Sequence, residues 1–94
     1  MKITYCKEGV VVADHKAERY ALKVRKKNLR VANELVIHYA RTLIAEGILE
    51  NDIDFEYEVD GVVMYSQRAD SNGRFKDWPE GFCDHIDNCL GRLF

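Results

Sequence analysis

The sequence lacks the features that mark membrane, secreted and disordered proteins. No apolar run in its 94 residues approaches the roughly 18 that a membrane-spanning helix requires. Its N-terminal segment has no apolar signal-peptide core, and no repeat, low-complexity tract or linker interrupts the chain. Its three cysteines, without a secretory signal, are expected to be free thiols in a reducing compartment. These absences predict a cytoplasmic protein that does not associate with membranes.

Composition and length then point to one small folded domain. Hydrophobic residues make up 47% of the chain and charged residues 32%, which is ordinary for a globular protein. The length lies below the roughly 100–200 residues of a typical domain, so a second independent core is excluded. Residues 1–94 are therefore predicted to form a single domain.

The charge is divided unevenly along the chain. Residues 1–45 carry ten basic and four acidic side chains, whereas residues 46–94 carry four basic and twelve acidic ones. The net charge of −2 therefore hides a half of +6 and a half of −8. Such asymmetry indicates either a partner with a complementary surface or pairing of the two halves within the fold. The second reading is favoured because basic and acidic strands often neighbour each other in one sheet.

Short β-prone runs dominate the first quarter of the chain. Residues 3–6 and 10–13 predict two strands of a hairpin, with Gly9 supplying its turn. Residues 19–25 alternate apolar and charged side chains with a period of two, which favours a third strand over a helix.

A long helix is predicted over residues 29–46, with Asn28 as its N-cap and Gly47 as its C-terminal stop. Apolar side chains recur there at three- and four-residue steps and predict a buried face: Leu29, Ala32, Leu35, Val36, Tyr39, Ala40, Leu43 and Ile44. The opposite side of the helix is polar: Glu34, His38, Arg41 and Thr42.

The remaining segments predict a hairpin and a terminal helix. Residues 54–60 alternate with Phe55, Tyr57 and Val59 towards the core, and Asp60-Gly61 is a strong two-residue turn signal before a return strand at 62–66. After a polar loop, Pro79 fits the first turn of a helix. Its predicted buried stripe is Phe82, Ile86, Cys89, Leu90 and Leu93. The predicted order is β-β-β-α-β-β-α, an α+β domain with a mostly antiparallel sheet packed on two helices.

The stretch GRFKDWPEGFCD at residues 73–84 resembles the C-terminal segment of predicted AAA/ABC-like ATPases related to the overcoming-lysogenization-defect family. The helix over 34–47 and the acidic strand and hairpin after it follow the order of that family, so the resemblance covers residues 31–84. It implies a prokaryotic or phage-linked protein that corresponds to a detached ATPase tail.

The ATPase activity itself is not implied. Where that family has a histidine that senses the γ-phosphate, this sequence has Ala32, and it has no glycine-rich loop that could cradle phosphates. A chain of this length also cannot hold both a nucleotide-binding domain and the tail. The resemblance therefore implies an accessory protein that is not an enzyme.

Trp78 and Phe82 are the most distinctive side chains of the resembling stretch. They lie four residues apart across Pro79, which fixes the entry angle of the chain, so both can bury against the sheet. The favoured reading is a packing plug that closes the core. The functional alternative, by analogy with the family, is a docking surface for an ATPase partner.

A metal or thiol site is the next candidate. His85 and Cys89 are spaced to share one helical face, which suits two ligands of a zinc ion. Cys83 points away from that face and Cys6 would have to arrive from the first strand, so the set is incomplete. A cysteine nucleophile also needs a cleft and an orienting group, and the stripe turns Cys89 towards the core. The sequence therefore predicts no metal, no cofactor and no catalytic residue.

The last candidate is electrostatic. One basic segment contains Lys23, Arg25, Lys26, Lys27 and Arg30. Nucleic-acid binding would favour aromatic platforms beside these cations, and only Tyr20 is close. The acids of the 54–60 strand predict a solvated face that discourages edge-to-edge pairing: Asp54, Glu56, Glu58 and Asp60.

Together these features predict a non-enzymatic accessory or protein-binding module that docks on a protein partner or self-associates. The predicted contact is an exposed edge strand or the basic segment, with Trp78 and Phe82 as further candidates. The alternative is a small nucleic-acid-binding regulator that uses residues 23–30.

Overall fold

A computed structural model describes residues 1–77 of the chain. These residues form a compact α+β domain with a four-stranded mixed sheet and two helices. The strands are β1 (Lys2–Val10), β2 (Leu29–Val31), β3 (Asp54–Val59) and β4 (Val62–Arg68), and the helices are α1 (Ala17–Ala21) and α2 (Leu35–Ala45). Short 3-10 segments at Asp14–Lys16 and Leu22–Arg25 flank α1. Neither helix is long and apolar enough to cross a membrane.

The sheet order is β2-β1-β3-β4, and the prediction of a mostly antiparallel sheet is wrong. β1 pairs in parallel with both β2 and β3, and only β3 and β4 are antiparallel. Parallel neighbours require a crossover connection, and here the connections carry α1 and α2. Both helices pack with one face of the sheet in a single apolar core.

The predicted N-terminal hairpin is also wrong, because residues 2–10 form one strand. Gly9 makes no turn; instead the strand leaves the β2 ladder after Tyr5 and returns to pair Val10 with Val31. A Cβ on Gly9 would lie only 2.5–2.7 Å from the Val31 backbone. The glycine therefore serves a close approach of two backbones, and the residues between Tyr5 and Gly9 bulge outwards.

The segment predicted as a third strand, residues 19–25, is helical. The helical stretch that begins at Ala17 buries Ala17, Ala21 and Val24, which are spaced by four and three residues as on a helix face. The alternating pattern was ambiguous because it covers only seven residues, a length at which both periods can match.

Helix α2 begins six residues later than predicted. Leu29 and Val31 are buried around an exposed Arg30, which is the period of the short strand β2. Asn28 therefore does not cap the helix. The side chain of Asn33 accepts a hydrogen bond from the backbone N–H of Leu35 at 2.9 Å instead.

The end of α2 is as predicted. Gly47 adopts φ +77°, and its N–H bonds to the Ile44 carbonyl at 3.0 Å. The next N–H, from Ile48, bonds to the Leu43 carbonyl at 2.8 Å. This pair of bonds is a Schellman motif, which satisfies the last carbonyls of the helix.

The β3–β4 hairpin is confirmed. Asp60 and Gly61 have φ of 51° and 80°, the left-handed pair that a type I′ turn requires. Phe55 is fully buried, but Val59 is not in the core as predicted because it lies at the tip of the hairpin, where it is 39% exposed.

The polar side of α2, which the sequence analysis placed opposite the apolar face, is itself buried. Arg41 donates from Nε to the Gly73 carbonyl and from a terminal nitrogen to His38 Nδ1, both at 2.8 Å. Because a guanidinium only donates, Nδ1 of His38 must be the acceptor. The guanidinium also lies 5.2 Å from the centre of the Phe75 ring. The polar loop before Lys76 therefore covers this side of the helix.

The predicted terminal helix, including Pro79, lies outside the described residues. So do Trp78 and Phe82.

Two glycines with the same backbone conformation provide a test of this packing. A Cβ on Gly73, at φ +76°, would lie 2.1 Å from the Arg41 carbonyl oxygen, whereas one on Gly47 would meet nothing within 4 Å. We expect Gly47→Ala to lower the free energy of unfolding by about 1–2 kcal/mol through its φ alone. Gly73→Ala should cost about 1–3 kcal/mol more, because the added methyl group must displace backbone. Urea unfolding measures both, and equal losses would contradict the packing described.

Candidate functional site

The sheet face opposite the helices is a surface of charged pairs. Register places Lys2, Thr4 and Arg30 on the same face as the acids of β3. Each of those acids meets a cation, with the pairs Lys2–Glu56 at 3.3 Å, Arg30–Glu58 at 2.8 Å and Arg68–Asp54 at 2.8 Å. Two of these pairs join the basic half of the chain to the acidic half, as the charge analysis favoured. The acids are therefore paired across strands and not simply solvated.

A cleft of about 380 Å³ opens at one end of this face. It lies where the parallel strands β1 and β3 reach their C-terminal ends, the position at which open α/β sheets usually bind ligands. Its lining includes Cys6 and Glu8 from the bulge of β1 and Glu58 from β3. Tyr5 and Tyr57, stacked with ring centres 5.7 Å apart, also line the cleft.

Three potential ligand atoms converge in the cleft. Cys6 Sγ and one carboxylate oxygen each of Glu8 and Glu58 all lie within 4.8 Å of one another. Cys6 is a free cysteine and only 1% exposed. Glu8 is exposed and Glu58 is half-buried. This arrangement provides one thiol and two carboxylates from two adjacent strands.

Arg30 controls the charge at this end of the sheet. Its two terminal nitrogens donate to the two oxygens of Glu58 at 2.8 and 3.0 Å, a bidentate pair. These hydrogen bonds hold the pKa of the Glu58 carboxyl below its usual range. They raise the pKa of Arg30 in turn, and the nearby carboxylate of Glu8 adds to that rise.

The predicted basic segment is divided by these contacts. Arg30 is engaged by Glu58 on the charged sheet face. Arg25 donates to the carbonyl of Ile48, just beyond the end of α2. The five predicted cations therefore do not form one continuous patch.

Three lysines of the basic segment are left after Arg25 and Arg30 are engaged. Lys23 lies over the ring of Tyr20, with its Nζ 4.7 Å from the ring centre. Lys26 and Lys27 are exposed in the connection before β2, and neither forms an ion pair with the part of the chain described.

The tip of the β3–β4 hairpin is an apolar surface, which we call the hairpin patch and define as Val59, Val62, Val63 and Met64. These side chains are 39%, 59%, 48% and 63% exposed. The pairing shifts by one residue after Tyr57, and Met64 is the extra residue that forms a bulge in β4. The patch therefore lies at the tip of the β3–β4 hairpin, with three of its four residues on β4, the last strand of the sheet described.

The chain leading to residue 78 is fixed to the core. Tyr65 donates from its hydroxyl to the Asp77 carbonyl at 2.6 Å, and the edge of Phe75 packs against both Tyr65 and Phe55. Burial raises the pKa of Tyr65 to about 12. These contacts hold the end of the described chain against the core.

The sequence analysis predicted neither the cleft at Cys6 and Glu58 nor the hairpin patch, for different reasons. Cys6 and Glu58 are brought together by the β1–β3 register, which no local pattern encodes. The hairpin patch did leave a signal, because Val62, Val63 and Met64 are consecutive apolar residues beside a turn, without the alternation of a half-buried strand. His85, Cys89 and Cys83 lie outside the described residues.

Comparison with known proteins gives no relative. No family model matches the chain, and no curated protein and no solved structure shows a significant match.

The Arg30–Glu58 pair predicts a pH dependence. Because the pKa of Glu58 is lowered in the fold, its stabilising effect is complete above the ordinary value of 4.5 and is lost as pH falls through the lower folded value. Replacement by Arg30→Gln should raise the pKa of Glu58 towards 4.5, as followed by carboxyl NMR. Lys2→Gln, which removes the partner of Glu56, is the matched control and should leave Glu58 unchanged. A Glu58 that titrates identically in all three proteins would refute the assignment.

Proposed function

We propose that the protein is a non-enzymatic binding module that docks on a protein partner through the hairpin patch. The observation that carries this proposal is the exposure of four neighbouring apolar side chains at one hairpin tip. Single exposed valines are common on protein surfaces, but four exposed apolar side chains gathered at one hairpin tip of a small domain are typical of a contact surface.

The energetics of such a contact are favourable. Each half-exposed valine or methionine that a partner covers contributes about 1 kcal/mol, so the four together supply the core of a transient interface. The type I′ turn at Asp60 and Gly61 holds both strands of the hairpin in one conformation. The patch is thus largely preorganised, and little conformational entropy is lost on docking.

The edge of β4 adds a second mode of contact. β4 pairs with β3 alone in the described sheet, so its other edge is the natural place for a partner strand. The bulge at Met64 interrupts that edge near the tip and discourages unlimited strand addition. Side-chain contacts at the tip therefore set specificity, while the straight part of β4 provides backbone contacts.

The class of partner follows from the sequence resemblance. Residues 31–84 resemble the tail of ATPases related to the overcoming-lysogenization-defect family, and the hairpin patch lies inside that stretch. We therefore name an ATPase of this class as the first partner to test, with a second copy of this chain as the other.

Charged substitutions in the hairpin patch test the proposal. In the full chain, Val62→Lys and Met64→Lys should abolish the complex, because docking would bury an unpaired charge. Val11→Lys is the matched control, since Val11 is 87% exposed and lies outside the patch. Sedimentation measures self-association, and affinity capture followed by mass spectrometry identifies a bound ATPase.

The control and wild-type proteins should capture the same ATPase or form the same oligomer. A wild-type chain that stays monomeric and captures no ATPase would refute the proposal, as would equal capture by all variants. Salt-sensitive nucleic-acid binding that is lost in Lys26→Glu/Lys27→Glu, with the patch variants unaffected, would favour the regulator alternative instead.

A further inference from the structure

The thiol of Cys6 is buried in an unusual environment. Buried cysteines mostly behave as small hydrophobic residues inside an apolar core. Cys6 is 1% exposed, yet it does not belong to the apolar core cluster formed by the helices and the inner sheet face. It forms neither a disulfide nor a hydrogen bond with the described residues. Two carboxylates lie close to it, with Sγ within 4.8 Å of oxygens from Glu8 and Glu58.

A buried thiol facing two carboxylates is the donor set of a cation site. From these observations we propose that Cys6 Sγ, a Glu8 oxygen and a Glu58 oxygen bind one divalent cation of the zinc type in the cleft. This site is separate from the hairpin patch, and its existence does not depend on the proposed protein partner.

The charges of the three ligands and of Arg30 balance such an ion. When the cation binds, the thiol of Cys6 loses its proton to solvent, so the three ligands carry three negative charges. Arg30 contributes one positive charge beside them, which leaves two negative charges for a divalent cation to neutralise.

Arg30 also prepares Glu58 for this role. Ligating carboxylates are usually held by hydrogen bonds from a second group, which fixes their orientation. Both oxygens of Glu58 accept a hydrogen bond from Arg30, and each retains a second lone pair for a metal. Arg30 is therefore a positioning residue for the site.

The donor types select the metal. A thiolate with two carboxylates suits zinc, which accepts sulfur and oxygen ligands, whereas calcium and magnesium prefer oxygen alone. Zinc–ligand distances of about 2.0–2.3 Å require the three atoms to move closer than they stand now. The exposed side chain of Glu8 can make that movement. The open cleft leaves the remaining coordination position to water.

Cobalt(II) is a suitable probe, because a cobalt–thiolate bond gives a charge-transfer band in the near ultraviolet. The full chain is titrated with cobalt(II), and zinc is then added to displace it. All measurements are repeated in a Cys83→Ser/Cys89→Ser background, which removes the other two thiols of the chain. We expect one cobalt per chain, a thiolate band that zinc abolishes, and weaker binding as pH falls.

The variants locate the site. Cys6→Ser should remove the band, and Glu8→Gln or Glu58→Gln should weaken binding by at least about tenfold. Glu56→Gln is the matched control, because Glu56 lies on the same face of β3 but pairs with Lys2. Its affinity for cobalt should equal that of the wild type. Circular dichroism verifies folding, and the exposed Glu8 provides a test even where Cys6→Ser does not fold.

Three results would overturn the site. One is a wild-type chain that binds no cobalt. Another is a band that persists in Cys6→Ser but disappears in Cys83→Ser/Cys89→Ser, which would place the metal at the C-terminal cysteines. The third is a loss of affinity in Glu56→Gln as large as in Glu58→Gln, since that would indicate a general effect of charge on the sheet face.

Discussion

The structure depends on the position of β1 between two parallel neighbours. Because β2 and β3 both run alongside β1 in the same direction, each connection must return the chain to the same end of the sheet. The returning segments carry α1 and α2, which pack against each other on one face and enclose the core. That face takes nearly all the apolar side chains of the sheet. The other face is consequently left to the charged residues, which pair across strands.

The bulge in β1 converts this arrangement into a cleft. Only a residue without a Cβ can pass as close to the Val31 backbone as Gly9 does, and this passage returns the strand to β2. The residues before Gly9 must then leave the β2 ladder, and among them Cys6 and Glu8 line the cleft together with Glu58 from β3. Bulges are often found at such positions, where they re-aim a side chain.

The sequence predicted those features that are encoded by neighbouring residues and not those that depend on residues far apart in the chain. The Asp60-Gly61 turn, the strand β3 and the stop at Gly47 are encoded within a few residues, and the structure has all three. The parallel pairing of β1 could not be read, since it joins residues about 25 and 50 positions apart. Likewise, the burial of Arg41 depends on a loop that arrives 32 residues later. The alternating pattern at residues 19–25 was too short to distinguish the strand period of two from the helical period of about 3.6 residues.

Glu56 and Glu58 show how position rather than residue type distinguishes a site from a surface. Both are glutamates on the same face of β3, and both are paired with a cation. Glu56 lies beside Thr4, where β1 is still paired with β3, and it accepts a hydrogen bond from the Thr4 hydroxyl. Glu58 lies beside the bulge, where the ladder has opened and a buried thiol faces it. The division of charge along the sequence thus accounts for the paired acids on β3. The backbone around each acid then determines that Glu58, and not Glu56, lies close to the thiol of Cys6.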